Sequence, residues 1–180
     1  MNIKIETEDL VLRKIALKDA DVLHDIRNEE HILKWMPDWK STMEETKSWI
    51  IELNKFYDNQ TKDDLWCQLA LERKSDGAVL GIVALQTKEE VNNEVEIAYF
   101  LSAKYQSKGY MSQAVRAILN WGINYFDLKY VMAIVDVKNY FSQKVVERAG
   151  FKKIETKMIL NSGEKEEKPF YYYRYYKGSI

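Results

Sequence analysis

The chain of 180 residues predicts a mixed α/β fold with a mostly antiparallel sheet. Strand-like segments follow one another with only short polar turns between them, which is typical of antiparallel hairpins. Other segments place apolar residues at helical spacing. Only the region around residue 106 has the strand–helix–strand order that a parallel pair requires. We therefore expect a single domain over residues 1–180, with a sheet of about seven strands flanked by about four helices.

The first third of the chain predicts one strand and two helices. Residues 10–15 alternate between apolar and polar, as a strand does, and residues 19–27 carry an apolar helical face. Residues 31–40 are aromatic and interrupted by a proline, so we expect an irregular segment there. A second helix should begin at Ser41 or Thr42, because either can cap a helix whose first turn is acidic.

The middle of the chain predicts three successive antiparallel strands. Residues 65–72 and 79–86 are strand-like, and the Ser-Asp-Gly turn at 75–77 joins them as a hairpin. A pair of asparagines then provides a second turn before the strand at 95–101.

The last part of the chain predicts two helices and three strands. Apolar residues from 111 to 126 fall at helical spacing, and a strand follows at 130–137. A short helix should start at Asn139 and stop at a glycine at residue 150. Two final strands, 151–160 and 170–176, are separated by a polar turn.

Composition and charge exclude several classes of protein. The chain has 27 basic and 28 acidic residues, so it lacks the basic surplus of a typical nucleic-acid-binding protein. No apolar run is long enough to span a bilayer, and the first residues lack the apolar core of a secretory signal. We expect a cytoplasmic protein with no nucleic-acid partner and no membrane partner.

The cysteine and histidine content argues against a metal site. Cys67 is the single cysteine, and His24 and His31 are the two histidines, so no cluster has the spacing of a metal site. We expect no metal. Cys67 lies within a predicted strand beside apolar residues, and we interpret it as a small packed residue rather than a nucleophile.

The junction at residues 106–112, Gln-Ser-Lys-Gly-Tyr-Met-Ser, carries the first functional signal. It is a polar turn with one glycine between a strand and a long helix. The first backbone N–H groups of a helix have no partner within that helix, so a turn of this kind can bind an anion, phosphate above all.

Three stretches of the chain form a larger pattern. In residues 96–111 a glutamate-bearing strand runs into the glycine turn. Residues 136–151 place Asn139 and Ser142 at the start of a helix that ends in Gly-Phe, and residues 8–13 read Glu-Asp-Leu-Val-Leu-Arg. In this order they resemble the GNAT superfamily of acetyl-coenzyme A dependent N-acetyltransferases over essentially the whole chain. Residues 8–13 resemble the branch of ribosomal-protein N-terminal (serine/alanine) acetyltransferases.

The resemblance implies aminolysis of a thioester by direct transfer to a primary amine. The acceptor amine, with a pKa of about 10, must lose a proton, and Glu96 matches the family's general base. Glu94 shares its face of the strand and is the alternative, although each could equally be a surface carboxylate. Ser142, or Tyr140 close by, would protonate the thiolate unless Ser142 only satisfies the helix start. Backbone N–H groups of residues 98–100 would stabilise the oxyanion.

Acetyl-coenzyme A is the implied cosubstrate, bound mainly by backbone groups. Lys104 and Lys108 could neutralise its phosphates, or could be solvated loop residues. Met111 departs from the family pattern, which prefers Gly or Ala there. The residues implied to bind the coenzyme are Ala98, Tyr99, Phe100, Leu101, Ser102, Gln106, Ser107, Lys108, Gly109, Tyr110, Met111, Ser112, Asn139 and Ser142.

The acceptor is the least determined partner. Trp35, Asp38 and Trp39, with Glu94, could bind an ammonium group, or the first three could form a lid packed on the core. The resemblance favours a protein N-terminal α-amine, such as that of a ribosomal protein. A small amine (polyamine or aminoglycoside) and a non-catalytic coenzyme-binding domain are the alternatives, and a homodimer is left open.

Overall fold

The computed structural model describes residues 3–160 and 165–178, and within them one eight-stranded sheet has the order β1-β2-β3-β4-β5-β6-β8-β7. All neighbouring strands are antiparallel except β5 and β6. The strands are β1 (Lys4–Glu6), β2 (Leu10–Lys14), β3 (Trp66–Arg73), β4 (Val79–Lys88), β5 (Glu94–Leu101), β6 (Tyr130–Asp136), β7 (Lys152–Ile159) and β8 (Lys168–Tyr176).

Helices cover both faces of this sheet. Helices α1 and α3 pack on one face, and α4 and α5 pack together on the other. Gly122 brings α4 close to β4, because a Cβ atom there would lie 2.1 Å from the Cδ1 atom of Leu85. The helices are α1 (Ala20–Arg27), α2 (Glu30–Leu33), α3 (Met43–Phe56), α4 (Tyr110–Tyr125) and α5 (Tyr140–Ala149).

The predicted helix ends are confirmed by their capping contacts. Thr42, rather than Ser41, caps α3: its Oγ1 atom accepts from the Glu45 N–H, and the Glu45 carboxylate accepts from the Thr42 N–H. The Asn139 side chain caps α5 by accepting from the Ser142 N–H, and Gly150 ends that helix. Local sequence signals therefore fix both ends of α5, which carries part of the site.

The mixed α/β fold is confirmed, but two of its details were predicted wrongly. The sheet has eight strands rather than seven, because the three residues of β1 pair with β2. Residues 31–40 are less irregular than predicted, since they include the end of α2 and a 3₁₀ turn, Pro37–Trp39. β1, α2 and the 3₁₀ turn are each too short to show a period of apolar residues in the sequence. Residues 161–164, in the predicted polar turn, lie outside the described residues.

The sheet divides between β5 and β6. Glu96 with Met132 is the one register pair of these parallel strands within the described residues, whereas β5 pairs with β4 along its full length. Beyond Glu96 the two strands diverge, and their backbone groups on the facing edges no longer form a ladder. The fold therefore opens a gap at the centre of the sheet.

Candidate active site

A cavity of about 270 Å³ fills this gap. Strands β5 and β6 form its base, the segment between α2 and α3 forms one wall, and the start of α5 forms the other. The predicted site residues that line it are Trp35, Asp38, Trp39, Glu96, Ala98, Tyr99, Asn139 and Ser142. The cavity therefore brings together predicted residues of the acceptor segment, of β5 and of the start of α5, whereas the predicted coenzyme-binding residues between 100 and 112 lie outside its lining.

Glu96 lies at the point where the strands divide. Its side chain is buried, and its carboxylate accepts a hydrogen bond from the backbone N–H of Ile134. Gln86 Nε2, on the neighbouring strand, lies 3.5 Å from Glu96 Oε2. Burial raises the pKa of Glu96 to about 7, against the opposing effects of Lys88 and of the Gln86 and Ile134 hydrogen bonds. A carboxylate with this pKa can exchange a proton near neutral pH.

Glu94, the alternative base, has a different environment. Tyr172 donates its hydroxyl proton to Glu94 Oε2 at 2.5 Å, and Arg174 Nη2 lies 3.4 Å from the same oxygen. Both partners lie on β8 and outside the cavity lining. Glu94 is therefore part of an ion pair between strands, and it does not line the cavity.

Ser142 and Tyr140, the two candidate acids, have opposite placements. Tyr140 is 67% exposed and lies outside the cavity lining, whereas Ser142 lines the cavity. The Ser142 Oγ atom is 2.7 Å from the Tyr99 hydroxyl, and the Tyr99 hydroxyl also lies 3.2 Å from the Ser142 carbonyl oxygen. The geometry thus favours Ser142 over Tyr140 as the group that meets a ligand.

The backbone of β5 presents only alternate residues to the gap. The Ser102 N–H donates to the Leu80 carbonyl of β4, so the even-numbered residues Ala98 and Phe100 also direct their backbone groups toward β4. Tyr99 and Leu101 direct theirs the other way. Of the predicted oxyanion donors, residues 98–100, Tyr99 is the one whose N–H faces the gap.

One backbone acceptor on this edge is already engaged. The Leu101 carbonyl oxygen lies 3.0 Å from His31 Nε2, and the Ala103 N–H donates to Glu29 at 2.8 Å. The segment around α2 is thereby attached to the end of β5. Nothing local in the sequence indicates this contact of His31.

The glycine turn at 106–112 precedes α4 directly. Ser107 and Gly109 have positive φ angles of 62° and 81°, and residues 106–109 are exposed. Among the described residues, none accepts a hydrogen bond from the backbone N–H groups of 107–112. The Met111 side chain is 6% exposed and packs in the core, so it leaves the backbone of the turn open. The open backbone of the turn is compatible with the predicted anion site, which stays a prediction.

Cations surround this turn. The amino groups of Lys104 and Lys108 lie 5.3 Å and 6.0 Å from the centre of the Tyr105 ring, and the guanidinium of Arg73 lies 5.0 Å from it. Arg73 is paired with the Asp76 carboxylate, so Lys104 and Lys108 provide the positive charge beside the helix start that suits phosphate groups. This positive charge is local, since the whole chain is nearly neutral.

The acceptor wall is built from packed aromatic residues. The Trp39 ring packs edge-on against Phe100, with ring centres 5.4 Å apart. The Arg27 guanidinium lies over Trp39 and Trp49, at 5.8 Å and 4.7 Å from their ring centres. Trp35, Trp39 and the exposed Asp38 line the cavity. The two interpretations of this segment are therefore compatible: it packs on the core and also faces the site.

Sequence reasoning missed three polar or charged residues of the cavity, Gln86, Lys88 and Asp136. The register of β4 and β5 places Gln86 beside Glu96. With the correct length for the turn between these strands, the sequence would have predicted this pair. Cys67, in contrast, is buried as predicted, and burial raises the pKa of its thiol to about 12. Such a thiol is a poor nucleophile at neutral pH.

Neither a membrane span nor a metal cluster is found in the described part of the chain. None of the described helices is long and apolar enough to cross a membrane. Over the same ranges, 3–160 and 165–178, no three side chains of His, Cys, Asp or Glu converge in the manner of a metal site.

A divided sheet with a buried carboxylate where the strands part, and an open helix start after β5, are the features that a coenzyme A dependent acyltransferase requires. Residues 9–152 match the family described as the acetyltransferase (GNAT) domain, and the chain belongs to that family. The resemblance seen in the sequence is confirmed. The protein is an N-acetyltransferase that uses acetyl-coenzyme A.

Relatives of this chain differ in the acceptors that their names give. It is 24% identical over 163 residues to the putative ribosomal N-acetyltransferase YdaF of Bacillus subtilis, covering 80% of this chain and 78% of that protein. It is 25% identical over 140 residues to the spermidine N(1)-acetyltransferase of Escherichia coli, covering 78% and 71%.

A solved structure shares the fold over almost the whole chain. RimL, a ribosomal L7/L12 alpha-N-protein acetyltransferase in complex with coenzyme A, has a TM-score of 0.81 to this chain. The alignment covers 99% of this chain and 100% of that one, at 17% sequence identity. The architecture is thus the same, at an identity that carries no information on the acceptor.

Proposed function

We propose that this acetyltransferase transfers acetyl directly to the N-terminal α-amine of a protein, with Glu96 as the general base. The observation that carries the proposal is the buried Glu96 carboxylate, whose pKa is raised to about 7, at the base of the cavity. At neutral pH it is divided between its two protonation states, so it can accept the proton that the acceptor ammonium must lose.

The bonds change in two steps. The free amine nitrogen attacks the thioester carbonyl carbon, and the new C–N bond pushes an electron pair onto the carbonyl oxygen. That oxygen would accept a hydrogen bond from the backbone N–H of Tyr99, which faces the gap. The C–S bond then breaks, its electron pair stays on sulfur, and the Ser142 hydroxyl donates to that sulfur. Starting from the ammonium, the nitrogen loses two protons, one to Glu96 before the attack and one after it. One of them passes to solvent, and the other restores the Ser142 hydroxyl, which has given its proton to sulfur.

Coenzyme binding would use the backbone more than the side chains. The free N–H groups of residues 107–112 suit the pyrophosphate, and Lys104 and Lys108 lie beside them. The Tyr99 backbone and the Leu101 N–H suit the amides of the pantetheine arm, which would lie as an added strand, while the Leu101 carbonyl stays with His31. Asn139 lines the same cavity and also caps α5.

Two observations support the α-amine acceptor. Residues 8–13, which include most of β2, resemble the ribosomal-protein branch, and YdaF carries a ribosomal name. A polyamine or aminoglycoside is the second candidate, and a specific observation favours it: three carboxylates, Asp38, Glu96 and Asp136, line the cavity. Such a set attracts a ligand with several ammonium groups.

A panel of acceptors distinguishes these candidates. Purified protein and acetyl-coenzyme A are incubated with peptides bearing free α-amines, with polyamines and with aminoglycosides, and thiol release is recorded. We expect peptide α-amines, led by those of peptides that begin with serine or alanine, to give the highest kcat/KM. A polyamine preferred over every peptide would overturn the α-amine proposal and leave the general-base chemistry intact.

Asp38→Asn is expected to raise the KM for the amine about fivefold without changing the affinity for acetyl-coenzyme A. Asp38 is exposed at the mouth of the cavity, so its attraction for an ammonium is modest and is screened by salt. Initial rates at low and at high ionic strength measure the effect. Asp25→Asn is the matched control, because Asp25 is also exposed, on α1, but lies outside the cavity lining.

Gln86→Leu is expected to move the acidic limb of the kcat/KM profile to higher pH, by about half a unit to one unit. The Gln86 amide lowers the pKa of Glu96 by donating to its carboxylate, so removing it leaves burial less opposed. Rates between pH 5 and 9 measure the shift. A limb that stays in place would show that Glu96 is not the group that titrates.

A further inference from the structure

Tyr99 has both of its polar groups at the candidate site. Its backbone N–H faces the gap between β5 and β6, whereas its phenol reaches α5 and lies 2.7 Å from the Ser142 Oγ atom. The same phenol can also donate to the Ser142 carbonyl oxygen, 3.2 Å away. These contacts join residues that are 43 positions apart in the chain, and Tyr99 lines the cavity together with Ser142.

The Ser142 hydroxyl needs such a partner. A serine side chain at a helix start has three staggered rotamers, and its hydroxyl proton rotates freely unless another group fixes it. Asn139 accepts from the backbone N–H of Ser142, not from its hydroxyl, so the cap leaves the Oγ atom unconstrained. Among the described residues, the Tyr99 phenol is the hydrogen-bond partner of that Oγ atom.

We propose that Tyr99 is a positioning residue, whose phenol fixes the Ser142 hydroxyl so that it donates to the sulfur of the departing coenzyme. The proposal rests on the direct transfer described above. The phenol has one proton and two acceptors on Ser142, the Oγ atom at 2.7 Å and the carbonyl oxygen at 3.2 Å. When it donates at the shorter contact, the Ser142 proton is free to point toward the cavity. The backbone N–H of Tyr99 would meanwhile face the thioester oxygen, so one residue would link the groups at both ends of the breaking bond.

The phenol acts through Ser142 and gives up no proton of its own. Burial raises the pKa of Tyr99 above that of a free tyrosine, so a phenolate is disfavoured there. In the transfer, the C–S electron pair moves to sulfur, sulfur gains the Ser142 proton, and one of the protons that the amine nitrogen loses restores the Ser142 hydroxyl. Tyr99 ends the cycle in the protonation state in which it began.

A double-mutant cycle tests this role. Tyr99→Phe keeps the ring and removes the hydroxyl, and we expect it to lower kcat about tenfold with no change in the KM for acetyl-coenzyme A. Ser142→Ala is expected to lower kcat about a hundredfold. Because Tyr99 works through Ser142, the double variant should be no slower than Ser142→Ala alone. Thermal unfolding of each variant shows whether it is folded.

Tyr173→Phe is the matched control. Tyr173 is also a buried tyrosine of the sheet whose hydroxyl donates to α5, at 3.2 Å from the Glu147 carboxylate, but it lies outside the cavity lining. We expect its loss to leave kcat unchanged. An equal fall in kcat for Tyr99→Phe and Tyr173→Phe would show that sheet-to-helix packing, and not the position of Ser142, controls the rate.

The outcomes separate this proposal from the proposed function. Transfer to an amine with additive effects of Tyr99→Phe and Ser142→Ala would overturn the role of Tyr99 and leave the function standing. If no amine is acetylated, slow hydrolysis of acetyl-coenzyme A releases the same thiolate. The double-mutant cycle can then be measured on the rate of hydrolysis. Non-additive effects there would support the positioning role of Tyr99, although the proposed transfer to an amine would be wrong. A protein that binds the coenzyme and releases no thiol would overturn both.

Discussion

Replacing Glu96 with glutamine is expected to lower kcat by roughly a hundredfold to ten-thousandfold, with the affinity for acetyl-coenzyme A unchanged. Glutamine keeps the size of the side chain and its contact with Gln86, but it cannot accept a proton. The coenzyme would be held by the turn at 106–112 and the edge of β5, which the substitution does not touch. Steady-state rates measure the first effect, and calorimetry with acetyl-coenzyme A measures the second.

The pH dependence provides the internal control for this variant. Since Glu96 must be ionised to act as the base, wild-type kcat/KM should rise with pH through about 7, the raised pKa of this carboxyl. Glu94→Gln should keep that limb, because Glu94 is paired with Arg174 and lies outside the cavity lining. Wild-type turnover that stays constant from pH 6 to 9 would exclude Glu96 as the base.

Glu96→Gln should also stabilise the folded protein at alkaline pH. The pKa of Glu96 in the folded protein, about 7, lies above the ordinary value of 4.5. Protonation of this carboxyl therefore stabilises the folded state. The stabilisation is complete below pH 4.5 and is lost as the pH rises through about 7. Glutamine carries no charge to bury. At pH 8 we expect the free energy of unfolding of Glu96→Gln to exceed that of the wild type by about 3 kcal/mol, with little difference at pH 4.

Site residues that belong to local motifs could be predicted from the sequence. Asn139 and Ser142 share one helical turn, and Glu96 lies ten residues before the glycine turn, so short patterns were enough to find them. Helical phase could also have separated Tyr140 from Ser142, because residues two apart lie about 200° around a helix. Tyr140 is accordingly exposed while Ser142 lines the cavity.

Contacts between distant parts of the chain could not be predicted. The strand pattern correctly placed Glu94 and Glu96 on one face of β5, but Arg174, 80 residues later, is what pairs with Glu94. The bond between Tyr99 and Ser142 likewise has no local signal. In each case the tertiary partner, rather than the strand pattern, distinguishes a structural group from a chemical one.

Replacing Gly109 with valine is expected to weaken acetyl-coenzyme A binding by tenfold or more. Gly109 has a φ angle of 81° at the start of α4, a conformation that a β-branched residue adopts only at a strain of about 1–3 kcal/mol. A Cβ atom there would meet nothing within 4 Å, so the effect comes from the backbone and not from a clash. Relief of the strain would turn the N–H groups of the loop away from a common point, and calorimetry measures the lost affinity.

Gly77→Val separates loss of the phosphate site from general backbone strain. Gly77 has a similar φ angle of 70°, and a Cβ atom there would also meet nothing within 4 Å, but this glycine lies in the hairpin between β3 and β4. Both variants should lose a comparable part of their stability, since both force valine into the left-handed region. Only Gly109→Val should lose coenzyme affinity. Equal affinities in the two variants would mean that the phosphates bind elsewhere, because strain alone would then account for everything that the Gly109 substitution does.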